Sequence, residues 1–206
     1  MRTILSTTVM IVAMAFGANA QKMKLQSGSF KALSGQTEIN IVYNYEDMEV
    51  GTGKRAMKET EYVAKKVAEF NEKEKGRGER WEKSWVADRE SRFQGKFEAL
   101  FNKNSKKAGM SVTPGADGAK YTLHVHTTMT EPGFSVPMVM TVPSSVNLKI
   151  SLTETGSDKV LGEMTLLGSP GNAFSGAAWD TGNRIQESYA KAGKSFAKWL
   201  PKKGMK

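Results

Sequence analysis

The sequence predicts an α+β fold, in which a mainly antiparallel or mixed sheet of about five strands carries helices packed on one face. Two kinds of periodicity predict it. Apolar residues alternate with polar ones in several short segments, as in strands that are buried on one side only. Three longer segments repeat their apolar residues at the spacing of an amphipathic helix. Regular alternation is typical of a sheet with one covered face, and the amphipathic helices are the elements that would cover it.

The strands are predicted from the alternating runs and from turn composition. Three segments show the pattern, at 39–45, 121–126 and 146–152, and residues 160–167 are predicted to be the strand that returns after a turn. The last two are separated by Thr155-Gly156-Ser157-Asp158, whose small and polar residues favour a tight turn, so we expect a hairpin. A weaker strand is expected between residues 24 and 33.

The helices are predicted from three apolar stripes. The first stripe runs from Ala56 to Phe70 and is followed by the polar break Gly76-Arg77-Gly78. The second runs from Trp81 to Phe101 with a mostly four-residue spacing, so that it drifts around its helix. The third runs from Ile185 to Trp199, and Pro201 is predicted to end it.

The first twenty residues have the pattern of a signal peptide. An apolar run from Ile4 to Phe16 is followed by Ala18-Asn19-Ala20, the small-x-small pattern that a signal peptidase cleaves. The run is too short to span a bilayer, which takes about 20 residues. We therefore expect residues 1–20 to be removed on export. Residues 21–206 would then form a soluble single domain in the periplasm or the medium, with a helical excursion at about 78–107.

Composition restricts the chemistry and the partners. The chain has no cysteine, which excludes disulfides, thiolate metal sites, cysteine nucleophiles and the lipid attachment of bacterial lipoproteins. Its formal net charge is +9, with most of the excess between Lys54 and Lys107 and from Lys191 to Lys206. Outside the cytoplasm such a surface attracts phospholipid headgroups, lipopolysaccharide and acidic glycans, so we expect no nucleic-acid partner. The alternative is a solvated basic surface that serves only solubility.

Asp180-Thr181-Gly182 matches the D-T-G triplet of aspartic proteases, but its position favours another role. Pepsin-like catalysis needs two such carboxylates that share one proton. Here Asp180 stands directly before an apolar-periodic helix. An aspartate at that position accepts hydrogen bonds from the free backbone amides of the first turn, so we predict that Asp180 is a helix N-cap.

Other motifs that carry chemistry are incomplete. Gly51-Thr52-Gly53-Lys54 lies between a strand and a helix, but Met48 and Arg55 stand where a phosphate loop needs glycine and serine or threonine. Ser195-Phe196-Ala197-Lys198 matches S-x-x-K near the end of a helix rather than at its start. No serine–histidine triad and no carboxylate pair stands out. We therefore expect no enzymatic activity, no catalytic residue and no cofactor.

His124 and His126 are the only histidines of the chain. Two residues apart on a strand, they point to the same face, which suits two metal ligands. There is no cysteine or third histidine to complete a site, and this face is the polar side of the strand. We predict ordinary strand histidines, and a metal site at His124 and His126 is the alternative.

Two further features concern possible surfaces. Trp81 and Trp85 lie among arginines and lysines and would suit a face that binds glycans or headgroups. Their four-residue spacing favours a place in the core instead. The stretch Glu131-Pro132-Gly133-Phe134 is predicted to be a turn between strands that exposes Phe134.

Three stretches resemble a group of uncharacterised exported proteins of Bacteroidetes: TTMTEPGF (127–134), ETGSDKVLGEM (154–164) and DTGNRIQESYAKAGKSFAKWL (180–200). The likeness runs from about residue 42 to the C-terminus. The order of elements is also loosely similar to the α/β envelope domains of the TolB N-terminal region and of CsgG-like lipoproteins. That resemblance implies partner binding in the cell envelope, although the lipid-bearing cysteine of those lipoproteins is missing here.

These observations predict an exported, non-catalytic protein of the cell envelope, a binding or structural module. Its partner would be an envelope component or another protein, and it would touch an anionic membrane surface only peripherally. Two alternatives stay open. One is an enzyme acting on envelope polymer through carboxylates that only the fold brings together. The other is a metal-binding domain that uses His124 and His126.

Overall fold

The computed structural model describes residues 21–136, 140–171 and 180–206, so the predicted leader lies outside the described residues. Helices and a mixed sheet confirm the α+β class. The described strands are β1 (Lys22–Gly28), β2 (Glu38–Asn44), β3 (Glu49–Val50), β4 (Met57–Lys58), β5 (Ser111–Thr113), β6 (Tyr121–Glu131), β7 (Phe134–Val136), β8 (Met140–Val142), β9 (Ser145–Glu154) and β10 (Val160–Pro170). The helices are α1 (Glu59–Lys73), α2 (Arg77–Asp88), α3 (Gly95–Ser105) and α4 (Thr181–Trp199).

The main sheet contains both parallel and antiparallel pairs. Its strand order is β1-β10-β9-β6-β2-β5, and β3 lies beside the end of β6 while pairing with β4 on its other side. Neighbouring strands in the part β1-β10-β9-β6 of this order are antiparallel. In contrast, β2 is parallel to β6 and β5, and β3 is parallel to β6. Strands β7 and β8 form a separate hairpin.

The main sheet has eight strands, which corrects the prediction of about five. The alternating runs are present as β2, β6 and β9, and the predicted returning strand is present as β10, which forms the hairpin with β9. The weaker strand expected between residues 24 and 33 is present as β1, which ends earlier, at Gly28. The additional strands β3, β4 and β5 are two or three residues long. A strand of that length is too short to show a period of two, so these three strands cannot be predicted from the apolar pattern. Because Met57–Lys58 pairs as β4, α1 begins at Glu59 rather than at Ala56.

A π-helical turn at Arg89–Gln94 joins α2 to α3. Residues spaced every four positions shift by about 40° around an α-helix at each repeat, because the helix has 3.6 residues per turn. A π turn accommodates an extra residue and therefore turns the stripe back toward the core. As a result Trp85, Phe93, Phe97 and Phe101 are all buried, although their spacing predicts a drifting stripe.

The core lies between one face of the sheet and the helices α3 and α4. The predicted stripe of α4 is buried throughout, at Ile185, Tyr189, Ala192, Phe196 and Trp199. The sheet contributes buried side chains such as Ile39, Ile41, Leu123, Val125, Leu148 and Ile150. Val42, whose side chain points to the opposite face, is 45% exposed. Helices therefore cover one face of the sheet, as the alternation predicts.

Close contact between α3 and α4 depends on Gly193. A Cβ atom added at Gly193 would lie 2.2 Å from the carbonyl oxygen of Phe97, far inside van der Waals contact. The helix is also tied to the sheet by a hydrogen bond of 2.6 Å between the hydroxyls of Tyr189 and Thr127. Since both groups are buried, this bond also satisfies two polar atoms that would otherwise be costly to bury.

Candidate ligand-binding groove

A groove with a volume of about 500 Å³ lies beside the end of β6. We call it the basic groove. Three segments line it: the loop between β3 and β4, the first turns of α1, and the turn that follows β6. Its volume falls within the range of about 300–1,000 Å³ that is usual for small-molecule sites.

Hydrogen bonds along β6 hold the loop between β3 and β4 at the groove. Val50 pairs with Thr130 in parallel register, and the backbone amide of Gly51 donates to the Thr130 carbonyl at 2.9 Å. The Thr52 hydroxyl then donates to Glu131 Oε2 at 3.1 Å. Because β4 runs directly into α1, the first turns of that helix lie beside the same loop.

Four cationic side chains line the basic groove: Lys54 and Arg55 from the loop, and Lys65 and Lys66 from α1. Lys66 forms an ion pair with Glu69 at 2.7 Å. The other three make no salt bridge with any carboxylate in the described ranges. Unpaired cations on two elements around one hollow create a positive potential that attracts anions.

The opposite wall is the turn after β6, where Arg184 of α4 holds the backbone. Arg184 Nε donates to the Pro132 carbonyl at 3.1 Å, and Arg184 Nη2 donates to the Gly133 carbonyl at 3.2 Å. Gly133 has a φ of +65°, and a Cβ there would lie 2.4 Å from the Val142 carbonyl oxygen. The wall is therefore fixed, and it presents Phe134 with 37% of its surface exposed, as predicted.

Tyr62 also lines the groove. Burial, together with the negative charges of Glu131 and Glu69, raises the pKa of Tyr62 to about 12. Its hydroxyl therefore stays protonated at neutral pH and can donate a hydrogen bond. A protonated phenol beside several cations suits a ligand with anionic oxygens and adjacent apolar surface.

The groove brings together two stretches that the sequence presents separately. Gly53–Arg55 forms a 3-10 turn in the loop between β3 and β4. Glu131–Phe134 forms the predicted turn, between β6 and β7. What sequence reasoning missed is that β3 and β6 pair in parallel, which places both stretches against α1.

A second hollow, the polar cleft, lies at the start of α4. It has a volume of about 380 Å³, and its lining includes Trp81, Ser84, Asp88, Arg92 and Asp180. Arg92 contacts both carboxylates, with Nε 3.0 Å from Asp88 Oδ1 and Nη1 2.7 Å from Asp180 Oδ2. The arginine thereby joins the end of α2 to the beginning of α4.

Asp180 is the N-cap of α4, as predicted. Its Oδ1 accepts hydrogen bonds from the backbone amides of Gly182 at 2.8 Å and Asn183 at 3.3 Å. Its Oδ2 accepts from Arg92 and from Asn183 Nδ2 at 3.1 Å. These donors occupy the carboxylate, which is consistent with a structural role for the D-T-G triplet.

The two carboxylates of the cleft differ in acidity. Burial raises the pKa of Asp88; Arg92 opposes this shift, and the charge of Asp180 adds to it. Partial burial also acts to raise the pKa of Asp180, but the hydrogen bonds from Arg92 and from two backbone amides outweigh it and lower the pKa overall. Of the pair, Asp88 is therefore the one that takes up a proton more readily.

Trp85 belongs to the core, and Trp81 lies at its edge. Trp85 is 6% exposed, and its Nε1 donates to Glu59 Oε1 at 2.6 Å. The two indoles stack with ring centroids 5.5 Å apart, and Tyr62 contacts both rings. The core interpretation of the four-residue spacing is therefore confirmed for Trp85, while the half-buried Trp81 also lines the polar cleft.

His124 and His126 lie on the open face of the sheet. His124 Nε2 is 3.0 Å from the Thr153 hydroxyl, and His126 Nε2 donates to the Glu46 carbonyl at 2.8 Å. Lys149 pairs across the sheet with His126 and adds positive charge. Within the described ranges, no group of three or more potential ligand side chains could hold a metal ion.

The remaining motif, S-x-x-K, lies in the last turns of α4. The Ser195 hydroxyl donates to Gln21 Oε1 at 3.0 Å, and the Lys198 side chain is exposed.

None of the helices in the described parts of the chain is both long and apolar enough to cross a membrane.

No protein-family model matches the sequence, and no curated protein matches it either. Among solved structures, the PelC dodecamer from Paraburkholderia phytofirmans is similar with a TM-score of 0.35 and 11% sequence identity, over 83% of this chain and 96% of that one. A DUF330 protein from Xanthomonas campestris gives a TM-score of 0.39 and 10% identity, over 81% and 84%. Neither likeness is close enough to carry an argument about function. The resemblance to exported Bacteroidetes proteins stays a prediction.

Proposed function

We propose that this protein is an exported, non-catalytic binding protein of the cell envelope, and that it holds an anionic envelope component in the basic groove. The ligand chemistry that the groove recognises is a carboxylate or phosphate group next to apolar surface. Export is inferred from the leader pattern at residues 1–20.

One observation carries the proposal. Lys54, Arg55 and Lys65 line a hollow of about 500 Å³ and form no ion pair with a carboxylate of the described residues, although the charge of Lys65 acts on Glu69. Hydrogen bonds between a protein cation and an anionic ligand are worth about 1.5–3 kcal/mol each, more than neutral ones. Converging cations therefore favour binding at this place over general attraction to a basic surface, which salt screens within about 10 Å at 0.1 M.

The test compares two triple variants with equal changes of charge. K54Q/R55Q/K65Q removes the cations of the groove, and K191Q/K194Q/K198Q removes exposed lysines of α4, in the other basic region of the sequence. Purified exported protein is sedimented with peptidoglycan, with vesicles that contain an anionic phospholipid, and with an acidic polysaccharide, at low and at high salt.

We expect wild type and the α4 variant to bind one target at both salt concentrations, and the groove variant to bind it at least tenfold more weakly. Tenfold corresponds to about 1.4 kcal/mol, less than one charge-assisted hydrogen bond. Equal losses in both variants, or binding by wild type that high salt abolishes, would mean that only net charge matters and would refute the groove as the site.

The carboxylate-dependent enzyme is the second candidate, and the polar cleft is the observation that favours it. Asp88 and Asp180 line one cleft, and their pKa values are shifted in opposite directions, as in acid–base pairs. Against it, Asp180 already accepts four hydrogen bonds. Release of soluble fragments from envelope polymer by wild type but not by Asp88→Asn would establish this candidate over the first.

A further inference from the structure

The basic groove and the polar cleft share a wall. Tyr62 lines the groove, and its ring contacts the indoles of Trp81 and Trp85, which line the cleft, with centroid distances of 6.1 and 5.5 Å. Arg184 crosses the same wall, because its Nη2 donates both to the Gly133 carbonyl of the groove and to the Thr181 hydroxyl of the cleft. One layer of side chains therefore separates the two hollows.

The two hollows differ in charge. The groove has four cations and one carboxylate, whereas the cleft has one cation, Arg92, between the carboxylates of Asp88 and Asp180. A second anion entering the cleft would meet like charge. The Asp88 side chain is 18% exposed, so its carboxylate can also accept a hydrogen bond from a hydroxyl donor in the cleft. Indole rings beside a hydrogen-bonding carboxylate favour an uncharged, hydroxyl-rich ring.

We propose that the groove and the cleft are neighbouring subsites for one linear glycan in which acidic and uncharged sugars alternate. The acidic sugar occupies the basic groove and the uncharged sugar occupies the polar cleft. This inference rests on the proposed function and specifies its ligand. A membrane surface would present anions to both hollows and would be repelled at the cleft, which favours the glycan.

The first experiment changes the ligand. Affinity is measured by calorimetry for a tetrasaccharide of alternating glucuronate and N-acetylglucosamine, for an oligogalacturonate of equal length, and for a chitin tetrasaccharide. We expect the alternating ligand to bind at least tenfold more tightly than either of the others. Equal affinity for the oligogalacturonate, or retention by anionic vesicles alone, would overturn the alternation.

The second experiment fills the cleft without removing a buried contact. Ala87→Trp places a large side chain at the exposed, cleft-lining Ala87, and Ala68→Trp is its control on the exposed surface of α1. We expect Ala87→Trp to weaken the alternating tetrasaccharide about tenfold while leaving binding of free glucuronate unchanged, because the monosaccharide needs only the groove.

The outcomes separate the two proposals. If K54Q/R55Q/K65Q binds every anionic ligand as wild type does, the proposed function fails and this inference fails with it. If the groove variant loses binding but Ala87→Trp binds the tetrasaccharide like wild type and Ala68→Trp, only the second subsite is refuted.

Discussion

Replacing Asp180 by alanine removes the N-cap of α4 and one partner of Arg92. A side-chain cap is worth about 1 kcal/mol. The ion pair adds less, because the side chains of Arg92 and Asp180 are 37% and 43% exposed and exposed pairs contribute only about 0.2–1 kcal/mol. Arg92 also keeps Asp88 at 3.0 Å. We therefore expect Asp180→Ala to lower the free energy of unfolding by about 1.5 kcal/mol in total.

The stability of wild type, Asp180→Ala and Asp180→Ser is measured by urea unfolding, monitored by circular dichroism, and separately by thermal melting. For a chain of this size the loss corresponds to a decrease in Tm of about 3–6 °C. Serine still accepts hydrogen bonds from the backbone amides of Gly182 and Asn183, so Asp180→Ser should lose only the contacts of Oδ2, the ion pair with Arg92 and the hydrogen bond from Asn183 Nδ2. An unfolding free energy of Asp180→Ala equal to that of wild type, or equal losses in both variants, would refute the cap as the source of stability.

The pH dependence gives an independent check. Folding lowers the pKa of Asp180. The charged carboxylate therefore stabilises the folded state at pH values above about 3.9, the pKa of an aspartate in the unfolded chain. This contribution is lost as the pH falls through the pKa that Asp180 has in the folded state. The difference between wild type and Asp180→Ala should therefore shrink below about pH 4. Asp180→Ser, whose cap does not titrate, should be at least as stable as wild type once the pH lies below the folded pKa of Asp180.

Two further predictions concern packing and ionisation. Gly193→Ala should lower the unfolding free energy by about 1–3 kcal/mol, because the new methyl group would overlap the Phe97 carbonyl. The control Gly95→Ala has open space around the new methyl group and should be neutral or stabilising. Equal effects of the two substitutions in urea unfolding would contradict the close contact at Gly193. Burial lowers the pKa of His124 despite the nearby Asp158, so its imidazole should titrate below about 6.5 by NMR, with stability rising as pH rises through that interval. A midpoint above 6.5 would show this direction to be wrong.

The elements that could be predicted are those whose signal is local. The apolar stripe of α4 and its capping aspartate are consecutive in sequence, and the structure confirms both. The strands β2, β6 and β9 show a period of two and β10 is indicated by the turn before it, whereas the short β3, β4 and β5 carry no such signal. The sequence indicates the π turn at Arg89–Gln94 only indirectly, because the four-residue spacing of the second apolar stripe does not fit one face of a regular α-helix.

The basic groove could not be predicted, because its three segments are distant in sequence and each has an ordinary local explanation. Lys54 and Arg55 follow a glycine-containing turn, Lys65 lies on the exposed side of a helix, and Gly133 lies in a turn between strands. They meet because Val50 pairs with Thr130 in parallel, a contact with no local sequence signature. Non-local strand pairing of this kind is specified by the whole core rather than by the paired residues.

Net charge alone would not distinguish the two basic regions that the sequence contains. On α4, Lys191 and Lys194 border a hollow of about 390 Å³ together with Lys96, which has Glu187 at 3.8 Å. Lys191 and Lys194, like Lys54, Arg55 and Lys65, form no ion pair among the described residues, so unpaired cations alone do not separate the two places. The groove differs in that the phenol of Tyr62 and the fixed turn at Gly133 also line it. An anion gains most where the walls are already ordered, since little rearrangement is then required. This difference in preorganisation, rather than the number of positive charges, is why the groove and not the α4 surface is the expected binding site.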